Sequence, residues 1–285
     1  MSGECLLELF IMFKLPKPAS AGVAIALSFL VGLGAMVSRA DAMAVVVYSQ
    51  QMHPTPPPVS DQRLSAIADY DVIVFIDASK SMSKTLSGEA HWSPMEAAEL
   101  PADVSPSESR WQWCSDQTDS LSQQLHKALK CPADKNLKVV LFNDRFKVFK
   151  NVDLSSVPTF FAANRPSGNT NANAALRSQL KEYFAARDQN ENVKPLLVAM
   201  ITDGLPDDPF TLRQTIIDAT KRMHNPNEIA ITFLQVGVDP KATQYLRELD
   251  HGLGSRAKYD IVTSKSFDQL NKSGLALALL DAVHK

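Results

Sequence analysis

A doubly wound α/β fold, with a mostly parallel sheet, one antiparallel edge strand and helices on both faces, is what this sequence predicts. Three observations carry that expectation. From Tyr70 onward, short apolar runs alternate with helical stripes, as in a parallel sheet covered on both sides. The chain has 285 residues and is 45% apolar, enough for one large buried core. One pair of runs is separated only by Asn143-Asp144 and its neighbours, too short for a crossover helix, so that pair must form a hairpin and the second run an antiparallel edge.

Taken in chain order, the first element is a leader. Lys14 and Lys17 precede an apolar run over 21–37 that ends in Ser38-Arg39-Ala40-Asp41-Ala42, the order of a secretory signal with small residues at cleavage spacing. Residues 1–42 are expected to be removed, with cleavage after Ala42 or Ala44, which places the protein in the periplasm or outside the cell. The alternative is an uncleaved signal anchor, since 17 apolar residues lie at the short limit of a spanning helix. Residues 1–11 are unusually apolar for a signal's first part, whereas a start at Met12 gives the ordinary Met-Phe-Lys-Leu-Pro-Lys. Residues 43–66 contain Pro54-Thr55-Pro56-Pro57-Pro58, which disfavours helix and sheet and predicts an extended linker, with a PxxP ligand as the sharper alternative.

The domain is expected over 67–285. Its strands are read at 71–76, 138–142, 146–149, 196–201, 229–236 and 259–262. Helices are read from the stripes Cys114, Thr118, Leu121, Leu125, Ala128; Leu176, Leu180, Tyr183, Phe184; and Leu212, Ile216, Ala219, Met223, with two more at 240–251 and 266–283. An insert at about 83–109, containing His91, Trp92, Pro94, Pro101 and Pro106, separates the first strand from its helix. A specificity loop, a lid and a disordered surface loop are its alternatives. Of the three cysteines, Cys5 precedes the apolar run. Cys114 and Cys131, in or beside one helix, are separated by ~25 Å at ~1.5 Å per residue, so Cys114 is expected to be a core thiol rather than half of a disulfide.

Charge excludes some functions. The 31 acidic and 29 basic residues leave a net −2, so no bulk attraction favours nucleic acid or an anionic membrane. Membrane contact is expected only through an uncleaved N-terminal segment. His53, His91, His126, His224, His251 and His284 form no HExxH pair, and GxSxG and GxxxxGK[ST] are absent.

Chemistry is expected at the C-terminal strand ends, where open α/β sheets bind ligands. The first strand ends in Asp77-Ala78-Ser79-Lys80-Ser81, placing a carboxylate and two hydroxyls on one loop. The fourth ends in Thr202-Asp203-Gly204, with the glycine expected to serve a sharp turn. Thr170 stands where the next helix begins. Oxygen donors with few carboxylates suit Mg²⁺ or Mn²⁺ better than Zn²⁺. Taken singly, the same residues read as a Ser-rich turn, a helix N-cap and a turn. Asp207 and Asp208 read as solvated acids, and Met82, Leu205 and Pro206 read equally as an apolar rim or as ordinary packing.

At these positions the chain resembles the von Willebrand factor type A family over about residues 70–284. The family's metal-ion-dependent adhesion site is written DxSxS, then Thr, then Asp, and Asp77, Ser79, Ser81, Thr170 and Asp203 match it. The resemblance implies a Rossmann-like fold, and serines and threonine that contact the metal directly or through water. It also implies Asp residues that often act through water, and a partner protein whose Asp or Glu carboxylate completes the coordination. It implies no enzyme. A phosphatase-like hydrolase with Asp77 as nucleophile is the competing reading, but the position of its general acid holds Ser79. A structural module with a vestigial site is the third.

Overall fold

The computed structural model describes residues 59–86, 108–128, 136–153, 156–189 and 193–283. The expected leader, the Pro-rich run, most of the insert and Cys131 lie outside the described residues. Six strands form one sheet in the order β3-β2-β1-β4-β5-β6. They are β1 Asp71–Asp77, β2 Asn136–Phe142, β3 Phe146–Asp153, β4 Leu196–Thr202, β5 Ile229–Gln235 and β6 Val262–Lys265. All pairings are parallel except β2 with β3. The fold class and the antiparallel edge are therefore as the sequence predicts.

The sheet is buried on both faces because its inner strands are continuous apolar runs. All seven residues of β4 are buried. Period-two alternation splits each strand between two cores. Val74 and Ile76 of β1, with Leu197, Ala199 and Ile201 of β4, face one core; Ile73 and Phe75, with Val198 and Met200, face the other. On the first face pack α1 (Asp61–Ser65), α2 (Arg110–Ala128) and α7 (Phe267–Val283). On the second lie α4 (Ala172–Gln189), α5 (Pro209–Arg222) and α6 (Pro240–His251). The chain winds outward from β1 through β2 to β3, then returns to β4 beside β1 and winds the other way. The switch point is thus the β1/β4 pair, where Ile76 pairs with Ile201 and the two strands end level.

Four expectations are revised. Residues 61–66 are not the end of an extended arm: α1 forms there because Leu64, only 1% exposed, has a core to enter. β3 runs on to Asp153, past a register shift opposite Leu137 and Val139. A short helix not read from the sequence, α3 (Val157–Ala163), follows it, with Phe160 packed on Phe149 and Phe161 on Trp111. The last strand begins at Val262 rather than 259, because the Tyr259 hydroxyl donates to His224 O and Lys258 Nζ to Met223 O, holding that stretch against the end of α5. Cys114 is a buried free thiol, pushed well above its ordinary value by burial and then by the nearby Asp203, Asp77 and Glu108 charges. It is unreactive at neutral pH.

Candidate metal centre

Three loops meet beyond the switch point, and backbone hydrogen bonds join them. Ala78 N–H donates to Phe142 O, Ser167 N–H to Ala78 O and Lys80 N–H to Gly168 O (2.9 Å). The β2–β3 hairpin props the middle loop: Asn171 N–H donates to Asn143 O, and Asn169 N–H to Asp144 Oδ1. Gly168, at φ 74°, brings its backbone so close to the Asp144 carboxylate that a Cβ would overlap it. The hairpin tip read in the sequence as a turn thus also places the Thr170 loop.

Three of the five candidate ligands, Ser79, Ser81 and Asp203, are joined side chain to side chain, and Asp77 joins them through the Ser79 backbone. Asp77 Oδ1 accepts from Ser79 N–H at 2.8 Å, closing the turn that presents the serines. Ser79 Oγ and Ser81 Oγ are 2.9 Å apart, and Ser81 Oγ donates to Asp203 Oδ1 at 3.0 Å. The fifth, Thr170, is bonded instead to Asp207, four residues after Asp203. Its N–H donates to both oxygens of Asp207 at 3.1 Å, and its carbonyl accepts from Asp207 N–H. Asp207 is therefore a clamp on the Thr170 loop, not merely a solvated acid, and Asp208 caps α5 by accepting from Thr211 N–H. The N-cap role weighed for Thr170 falls to Asn171, whose Oδ1 accepts from Ala174 N–H.

The carboxylates are buried, not on exposed loops: Asp77 is 0% and Asp203 1% exposed. Burial, then the charge of Asp203, pushes the Asp77 carboxyl up to about 7, against the smaller opposing effect of its bonds from Ser79 and Thr202. Two residues that sequence reasoning missed complete the arrangement. Thr202 Oγ1 donates to Asp77 Oδ2 at 2.8 Å; its place beside Asp203 on an apolar strand was the available signal. Arg110, at the start of α2, forms a buried ion pair from Nη1 to Asp203 Oδ2. No motif marks it, since only folding brings the far end of the insert to β4. The apolar rim is also different: Met82 is fully buried, whereas Leu205 and Phe210, the latter 69% exposed, project from the segment after Asp203. Gly204 has no left-handed φ and open space around its Cα, so no glycine is required there.

Chemically, the set is oxygen-only, with two mutually repelling buried carboxylates and three hydroxyl residues, which suits a small hard cation. Among the described residues no cluster of three or more His, Cys, Asp and Glu could hold a metal, so a site here depends on the hydroxyls. A separate cleft lined by Tyr70, Lys138, Lys150 and Glu182 lies at the opposite strand ends and contains none of the five residues.

No family model matches the chain, and no curated protein matches it. Solved structures similar to it include a point mutant of the PilB minor pilin from Streptococcus sanguinis (13% identity, 75% of this chain and 59% of that one, TM-score 0.47). Another is the manganese-loaded TRAP protein of Plasmodium vivax (17%, 75% and 73%, TM-score 0.45). A third is proximal thread matrix protein 1 from the mussel byssus with a zinc-occupied MIDAS motif (17%, 75% and 46%, TM-score 0.43). The chain thus spans about three fifths of the pilin and under half of the mussel protein.

Proposed function

We propose that the chain from α1 onward, residues 61–285, forms a von Willebrand factor type A-like binding module. It would hold one Mg²⁺ or Mn²⁺ among Asp77, Ser79, Ser81, Thr170 and Asp203 and use it to engage an Asp or Glu of a partner protein. The observation that carries this reading is the continuous Ser79–Ser81–Asp203 hydrogen-bond chain, beside a buried Asp77, at the switch point of the sheet. A divalent cation there supplies positive charge and coordination positions that a partner's carboxylate can take from water. The chain's own residues prepare the place. The Asp77 turn fixes the two serine hydroxyls, Thr202 orients Asp77, and Asp207 holds the Thr170 loop beside them. Leu205 and Phe210 offer apolar contact next to the charge.

A binding role is favoured over a hydrolytic one because both oxygens of Asp77 already accept hydrogen bonds in a fully buried position, which leaves a poor nucleophile. Export, by cleavage or by anchoring of residues 1–42, is part of the same proposal; among the described residues no helix is long and apolar enough to cross a membrane.

The test is calorimetric titration with Mg²⁺ and Mn²⁺ of wild type, Ser81→Ala, Thr170→Ala and Asp77→Asn, with circular dichroism of each. The variants are expected to lose at least roughly tenfold in metal affinity, the scale on which loss of a metal site's supporting groups is felt, with the fold retained. Equal affinity in all four proteins would refute the site.

A further inference from the structure

Arg110 is no candidate ligand, yet it is bonded directly to one. Arg110 is 7% exposed, and its guanidinium bonds Asp203 through Nη1 while Nε finds no hydrogen-bond acceptor among the described residues. Its seat is shaped for it. Gly237, at φ 81°, lies under the guanidinium, and a Cβ there would meet Arg110 Nε at 2.8 Å and Leu86 O at 3.1 Å. Arg110 is delivered by the base of the insert, where Thr85 and Ser109 form an antiparallel bridge, Leu86 N–H donates to Glu108 O and Arg110 N–H donates to Lys84 O. The two ends of the insert are thus fastened together directly above the serine loop.

We propose that Arg110 is an internal competitor of the divalent cation, its guanidinium and the metal contending for the one carboxylate, Asp203. The inference rests on the metal-binding reading above. Asp203 offers Oδ1 to Ser81 and Oδ2 to Arg110, so each of its oxygens already carries a hydrogen bond before a cation arrives. A divalent ion drawn to Asp77 and Asp203 also meets a fixed positive charge in surroundings of low polarity, where repulsion is far stronger than in water. A buried guanidinium is in turn costly to keep once its carboxylate is shared. The metal is therefore bound weakly while Arg110 stays paired with Asp203, and more tightly once that pair is broken. In either case Arg110 sets the affinity, and whatever moves the base of the insert changes it.

The experiment measures Mn²⁺ affinity of the full chain by calorimetry, for wild type, Arg110→Gln and Arg110→Lys, and thermal unfolding of each in chelator and in saturating Mn²⁺. Arg110→Gln is expected to bind Mn²⁺ at least roughly fivefold more tightly than wild type, the lower end of ordinary coupling between two sites. Arg110→Lys, which retains the charge, is expected to remain close to wild type. Arg110→Gln should also melt lower than wild type in chelator and recover more on adding Mn²⁺, a rescue that loss of packing alone would not give. Equal or weaker Mn²⁺ binding by Arg110→Gln, with binding retained in wild type, would overturn the competition and make Arg110 a positioning residue for Asp203. Absence of Mn²⁺ binding in wild type and Arg110→Gln alike would overturn the metal reading, and the competition with it. If Arg110→Gln does not fold, Arg110→Met, which keeps the aliphatic stem in the seat and removes the charge, is expected to raise Mn²⁺ affinity in the same way, and unchanged affinity there would count against the proposal.

Discussion

Asp77 shows how much of this site's behaviour depends on a single buried group. Its carboxyl titrates at about 7 in the folded chain against an ordinary 3.8, so the folded state holds a proton that the unfolded state gives up over that interval. A raised acid contributes stability that is complete below about 3.8 and lost as pH rises through about 7. In chelator, wild type is therefore expected to be less stable to urea at pH 8 than at pH 5, and Asp77→Asn, which has no charge to lose, to show a smaller difference. An equal pH dependence in the two proteins would show that Asp77 is not the group responsible. Asn suits position 77, because its amide can still accept from Ser79 N–H and can donate to the Thr202 hydroxyl. Truncating Asp203 is the poorer probe, since it would strand the Arg110 guanidinium inside the protein.

At the scale of elements, the site is positioned by parts that carry no ligand. β1 and β4 end level because their registers match, and that places Asp77 beside Thr202. The β2–β3 hairpin supports the Thr170 loop, and α2 brings Arg110. α1 belongs to the same framework although it lies where a linker was expected. Leu64 enters the core shared with β1, α2 and α7, so Leu64→Ala is expected to cost about 2–5 kcal/mol in denaturant unfolding, as large-to-small core changes do. A cost within about 0.5 kcal/mol, the surface range, would return residues 61–66 to the linker. By the same reasoning, a chain shortened to begin at 67 lacks part of its core.

At the scale of the whole molecule, a cation that binds only the folded chain must stabilise it by mass action. At a hundredfold excess over the dissociation constant the gain is about 2.7 kcal/mol. Mg²⁺ or Mn²⁺ is thus expected to raise the melting temperature, chelator to reverse the rise, and Ser81→Ala to diminish it. An equal rise in Ser81→Ala would place the cation elsewhere. The sequence by itself determined the doubly wound fold, because a parallel sheet covered on both faces needs continuous apolar runs and helical stripes in strict alternation, and those patterns are local. It also put forward the five candidate ligands, since each lies at the end of a strand or the start of a helix where short motifs are readable. Only the tertiary structure decided that Asp77 and Asp203 are buried, that Asp207 clamps the Thr170 loop, that Met82 is buried while Phe210 is exposed, and that Arg110 sits on Asp203. Those facts depend on which distant segments meet. The separation of 93 positions from Arg110 to Asp203 carries no periodic or compositional trace of the contact, because a single buried ion pair is set by the packing of the whole domain and not by the neighbours of either residue.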